Sequence, residues 1–98
     1  MARRTLVLSR QASTEYDEIA AFSLQRFGLD VADAYMAGLD KACERLRDYP
    51  ELAPTDPHIR PEVRVLHHRS HRIFYIAEPD RILIVRILHQ AQATPTAL

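Results

Sequence analysis

Arg72 and Arg86 are the two side chains of this 98-residue chain whose setting most invites chemistry. Each sits in an otherwise apolar run, Arg72-Ile73-Phe74-Tyr75-Ile76-Ala77 or Ile82-Leu83-Ile84-Val85-Arg86-Ile87-Leu88. Runs rich in β-branched and aromatic residues read as strands. An arginine inside one needs a partner, because an unpaired buried cation is expensive. Two guanidinium groups on one sheet face could hold a phosphate, a carboxylate or a partner's acidic side chain. Pairing with Glu62 or with helix carboxylates is the purely structural alternative. The other candidates offer less. His67 and His71 lie in a polar turn, with no third ligand at a spacing that suits a metal. Cys43, the only cysteine, lies one helical turn from Leu39 and reads as a small packing residue. A single cysteine allows no internal disulfide, which suits a reducing cytosol. No Ser-His-Asp or Cys-His order, internal repeat or Gly-rich phosphate loop stands out, so neither a cofactor nor a metal is expected.

The elements that must position these arginines follow from periodicity. The two runs close into a hairpin at Glu78-Pro79-Asp80-Arg81. Residues 82–88 are apolar except at Arg86, which predicts a strand covered at least in part on both faces. Thr5-Leu6-Val7-Leu8 is a short strand, and Ser9 is a good N-cap. Ala12, Tyr16, Ile19, Ala20, Ser23 and Phe27 then form one helical stripe, stopped by Gly28. Asp30 caps a second helix with a stripe of Tyr35, Leu39, Ala42, Leu46 and Tyr49, ended by Pro50. So short a connection forces the helices into an antiparallel pair. Four prolines in residues 50–61 make an irregular crossing loop, and Val63-Arg64-Val65-Leu66 is a further strand. Residues 91–98 have no apolar stripe and read as a loose tail. The expectation is one α+β domain over residues 1–98: a strand, a helical hairpin, then a three-stranded antiparallel meander that the first strand joins in one sheet.

The helices can cover only one face of that sheet, leaving an apolar face open. A two-residue loop at Pro79-Asp80 would place Arg72 and Arg86 on opposite faces, but Pro79 favours a type I turn, which suits a three-residue hairpin loop with a bulge and reverses that parity. In that register Arg72, Phe74, Ile76, Ile82, Ile84, Arg86 and Leu88 share the open face. Ile73, Tyr75, Leu83, Val85 and Ile87 then lie under the helices.

Thirteen basic and thirteen acidic residues cancel overall. They segregate, with seven basic against ten acidic residues in 1–57, and six against three in 58–98 together with all five histidines. Neutrality argues against a general nucleic-acid coat and sequence-specific nucleic-acid binding, while the basic second half suits one local anionic partner. The N-terminal apolar stretch is too short for a signal peptide and no run is long enough to span a bilayer, so a cytoplasmic, membrane-free protein is expected.

Several segments, in order, carry a resemblance. Ser9 opens a helix, Phe27-Gly28 closes it, and Tyr49-Pro50 closes the next. Ser70-His71-Arg72-Ile73-Phe74-Tyr75 and Ile84-Val85-Arg86-Ile87-Leu88-His89-Gln90 follow. Together they resemble ParE toxins of the RelE/ParE superfamily over nearly the whole chain, and the last segment is the most specific. The resemblance implies a type II toxin–antitoxin system, a tightly bound ParD-type antitoxin, and poisoning of DNA gyrase with arrest of growth. It implies no catalytic residues. The open-face residues Arg72, Phe74, Ile76, Ile84, Arg86 and Leu88 become candidate antitoxin contacts; Arg69, His89, Gln90 and Gln92 become candidate gyrase contacts. The alternative is a RelE-like ribosome-dependent mRNA nuclease. Arg72 matches an arginine of that family, but its lysines fall on Val63 and Val65, its later arginine falls on Ala91, and the tail has no tyrosine. The one lysine, Lys41, is on a helix, so acid–base and charge-stabilising groups are missing. ParE relatives often carry charged residues where this chain has Gln90-Ala91-Gln92-Ala93, which makes a weakly toxic antitoxin-binding homologue the third reading.

Overall fold

The computed structural model describes residues 3–98. Its elements are β1 (Thr5–Leu8), α1 (Arg10–Phe27), α2 (Leu29–Asp48), β2 (Thr55–Asp56), β3 (Val63–His68), β4 (His71–Ala77) and β5 (Arg81–His89). One five-stranded sheet runs in the order β1-β5-β4-β3-β2. The meander β3-β4-β5 is antiparallel, and β1 joins it parallel to β5. The short β2, paired with Val63 and Arg64, lies inside the proline-rich loop, where two residues leave no periodic signal.

Local chemistry sets the helix ends. The Ser9 hydroxyl accepts from the Ala12 N–H at 3.0 Å and donates to the Val85 carbonyl at 2.8 Å, so one side chain caps α1 and ties it to β5. Gly28, at φ 86, ends α1 and is also the residue before α2, a left-handed position that a Cβ would strain. Asp30 therefore lies within the first turn of α2 and does not cap it. Its charge still suits the N-terminal dipole. The helices are joined by the Tyr16 hydroxyl, which donates to Asp40 at 2.6 Å. That bond, with burial, pushes the Tyr16 phenol up to about 12.

The register between β4 and β5 differs from the expected one in an instructive way. Glu78 N–H donates to the Arg81 carbonyl at 2.9 Å, so the turn has a two-residue loop, Pro79-Asp80, braced by a 2.7 Å Arg81–Glu78 ion pair. The bulge sits within the strand instead. Phe74 faces Arg86 while Tyr75 faces Ile84, leaving Val85 unopposed. Beyond that extra residue, Arg86 and Leu88 rejoin the face of Arg72 and Phe74. Before it, Ile82 and Ile84 fall on the helix side, with Ile73, Tyr75 and Ile87, against Leu39, Cys43 and Leu46. Leu83 and Val85 move the other way. Ile84 thus leaves the set expected on the open face.

That face is closed by the chain itself. Ile59 of the crossing loop joins Val63, Phe74 and Leu88 in a second buried cluster, with Val65, Ile76, Val85 and Leu98 packed around it. The tail is held by backbone bonds from Arg60 N–H to Thr96 and from Leu98 N–H to Arg60, at 3.0 and 2.9 Å. It is not a loose end. A single leucine at the C-terminus has no periodicity to betray it, and its partner Ile59 sits between prolines. Leu98 is half-buried, so Leu98→Ala is expected to destabilise by about 1 kcal/mol, a fall of roughly 4–8 °C in Tm. An unchanged thermal midpoint would show that Leu98 does not close this face.

Candidate partner-binding surfaces

Both arginines turn out to be engaged. Glu15, on α1, takes Arg86 through Nε at 3.0 Å and Nη2 at 2.7 Å, and accepts the Ile87 N–H at 2.9 Å. The side chains retain 22% and 15% of their exposure, and the bonds to Glu15 raise the Arg86 pKa. The geometry explains the need. β1 pairs with β5 only as far as Ile84. Past that point the outer edge of β5 has no strand neighbour, and Glu15 supplies both the counter-charge and a missing backbone acceptor. Arg72 is drawn to the tail. Its guanidinium lies 5.4 Å from the centre of the Phe74 ring, donates to the Thr94 hydroxyl, and donates to the Gln92 carbonyl at 2.6 Å. Neither arginine is left as a free anion hook, and Phe74 and Leu88 keep 0% and 3% exposure. Ile76 is half-buried at the margin of the same cluster.

The remaining expected contacts gather at one end of the sheet. His71 pairs with His89, Gln90 N–H donates to the Ser70 carbonyl at 2.8 Å, and the Gln92 side chain accepts the His89 N–H at 2.7 Å. Arg69 is exposed in the β3–β4 turn at φ 51. Arg69, His89, Gln90 and Gln92 therefore share a neighbourhood, whereas Ile84 is buried on the opposite face beneath the helices.

The same end holds residues that spacing alone did not single out. Tyr35, from α2, hydrogen-bonds His71 Nδ1 and stacks edge-on against both His71 and His68. Burial lowers the pKa of His68 and of His71, helped by Arg69 at the first and by His89 and His68 at the second. Beside them Phe22, Phe27 and Val31 form an exposed apolar strip on the helical hairpin, and Leu24 and Leu29 of the hairpin are exposed as well. Their signal was available, because Phe22, Leu24, Leu29 and Val31 fall off both helical stripes. Among the described residues, no group of three or more side chains could hold a metal, and no helix is long and apolar enough to cross a membrane.

Two outcomes follow from these contacts. Arg86→Met leaves Glu15 without its counter-charge in a largely buried setting, and should destabilise by about 2–3 kcal/mol. The double variant with Glu15→Gln should recover part of that loss in a double-mutant cycle; independent, additive effects would show that the pair is not coupled. The second outcome concerns acid. Burial favours neutral His68 and His71, so the unfolded chain binds more protons once pH drops below the ordinary histidine value of 6.5. Stability should be full above that pH and fall between it and the lowered folded pKa values. Urea midpoints that stay constant from pH 7.5 to 5 would contradict this.

Comparison with known proteins places the fold. Residues 6–94 match the family model for the ParE toxin of type II toxin-antitoxin system, parDE. Toxin ParE1 of Caulobacter vibrioides is 33% identical over 84 residues, covering 86% of each chain. Toxin ParE1 of Mycobacterium tuberculosis is 34% identical over 85 residues, covering 86% of this chain and 87% of the relative. A solved structure described as the chromosomal ParDE TA system from P. aeruginosa superposes with a TM-score of 0.75 at 19% identity. It covers 89% of this chain and 96% of its own, a likeness of fold. With its helical hairpin, its five-stranded sheet and a family match over nearly its whole length, the chain belongs to the ParE toxins of type II toxin–antitoxin systems.

Proposed function

We propose that this toxin acts on DNA gyrase without catalytic residues of its own, in the cytoplasm, and is neutralised by a tightly bound ParD-type antitoxin. The observation that carries the reading is the match over residues 6–94, which includes the segment from Ile84 to Gln90. The placement of the nuclease positions is in keeping with it. Val63 and Val65, where RelE-type lysines would fall, pack in the second apolar cluster. Arg72, which matches a nuclease arginine, is spent on the tail. Acid–base and phosphorane-stabilising groups would have to come from elsewhere. Arg69, His89, Gln90 and Gln92, all exposed at one end of the sheet, are the residues we assign to gyrase contact.

The test uses the purified full-length protein with gyrase, and separately with ribosomes carrying mRNA. Inhibition of supercoiling or gyrase-dependent trapping of cleaved DNA, reversed by the antitoxin encoded beside it, is the expected outcome. A triple Arg69→Ala, His89→Ala, Gln90→Ala variant should lose at least about tenfold in potency, roughly 1.4 kcal/mol of binding. Cleavage of ribosome-bound message without any effect on gyrase would overturn the reading. Antitoxin binding with neither activity would identify a non-toxic homologue.

A further inference from the structure

The exposed strip on the helical hairpin is one wall of a cavity. Phe22 and Phe27 are 63% and 58% exposed and lie edge to face, 6.5 Å apart. With Val31 they face Tyr35, His71 and His89 across a space of about 210 Å³, into which Ser23 and Ser70 also open. A neighbouring cleft of about 320 Å³ shares Phe22, His71 and His89 and adds Ile19 and Ile87 to the apolar floor. Apolar surface gathered in this way, rimmed by a few polar groups, marks an interaction site.

The polar groups of the smaller cavity are serine, tyrosine and histidine side chains, while Glu15, Glu18 and Gln92 line the adjoining cleft. His89 Nδ1 accepts the Ala91 N–H at 3.0 Å, so the neutral ring carries its proton on Nε2. The Tyr35 hydroxyl and His71 Nδ1 share a hydrogen bond across the same cavity. The His71 and His89 rings lie edge to face with their centres 5.4 Å apart, and both line the cavity. No carboxylate lines the cavity, and Arg69 stands beside Tyr35. The site therefore offers hydrogen-bond donors and positive charge within an aromatic wall, complementary to an acidic residue flanked by an aliphatic or aromatic one.

Resting on the toxin–antitoxin reading, we propose that this cavity receives an acidic–apolar segment of the antitoxin, its carboxylate held by His71 and His89 and its apolar side chain seated between Phe22, Phe27 and Val31. The charged and titratable groups around the pair are Tyr35 from α2, His68 from the end of β3, Arg69 from the β3–β4 turn, and Glu15 and Glu18 from α1 in the adjoining cleft. Asp30 lies further out, beside Arg69. Burial keeps free His71 neutral; a seated carboxylate favours its charged form, so binding takes up protons. Affinity then rises as pH falls, which a purely apolar contact would not produce.

The experiment measures affinity for the antitoxin encoded beside this chain, by calorimetry from pH 8 to 6, in buffers of different ionisation enthalpy. Affinity should strengthen by up to tenfold per pH unit for each proton taken up. His71→Gln should weaken binding at pH 6.5 by about tenfold and flatten the profile, and His89→Gln should weaken binding by a similar factor. Phe22→Ala should weaken binding by a similar factor with the pH slope retained. Thermal midpoints of the variants establish that each is folded, and His71→Asn serves if the Gln variant is not. Equal affinity and equal slope in folded wild-type and histidine variants would overturn the assignment while leaving the toxin–antitoxin reading intact. Binding that weakens with acid, or that single-stranded RNA abolishes, would assign the cavity to another occupant. Absence of any antitoxin binding would remove the reading itself.

Discussion

The bidentate pairing of Glu15 with Arg86, completed by the Ile87 N–H on the same carboxylate, holds this molecule together at its least supported point. β5 runs through the middle of the sheet but has a strand on its outer side only as far as Ile84. A half-bare strand exposes donors and acceptors that either bind something else or invite aggregation. Ser9 takes the Val85 carbonyl, Glu15 takes the Ile87 N–H, and Gln92 takes the His89 N–H. Each comes from a different segment, so α1, the tail and the sheet are fastened along one line. The unopposed Val85 lies within this stretch, and the extra residue turns Arg86 back to the face shared with Phe74.

This line explains which parts of the fold could be read from residues. Helix existence and limits follow from stripes, from Ser9 and from Gly28, all local in sequence. The three-stranded meander is equally local. The bulge is not, because Pro79 constrains the turn alone, while the parity of β5 is decided five residues later, where the strand loses its neighbour. Hence Ile73, Tyr75 and Ile87 lie under the helices as expected, and Ile82, Ile84, Leu83 and Val85 exchange faces. An arginine in an apolar strand demanded a carboxylate, yet nothing in residues 10–20 marks Glu15 from its acidic neighbours Asp17 and Glu18 as the one that answers.

The binding surface shows the same division. The face marked as open is apolar because the chain covers it, through Ile59 and Leu98, which lie far apart in sequence and outside any periodic segment. The apolar surface left exposed on the helical hairpin includes residues off the helical stripes, Phe22 and Val31 among them, and it lies beside His71 and His89. Off-stripe apolar residues on two successive helices are left exposed, whereas the apolar residues of the last strand are largely covered. The strand is apolar for reasons internal to the fold.

The central proposal is thus one of place: partners would meet this toxin at the helical-hairpin end of the sheet, with the face of Phe74 and Leu88 staying closed. Backbone chemical-shift mapping of the full-length protein on titration with its antitoxin tests that directly. The expected perturbations centre on Phe22, Phe27, Val31, Tyr35 and His71, with the amides of Leu98 and Arg60 still hydrogen-bonded and slow to exchange. Perturbations centred on Ile59, Val65 and Leu98, with the tail amides released to fast exchange, would contradict it.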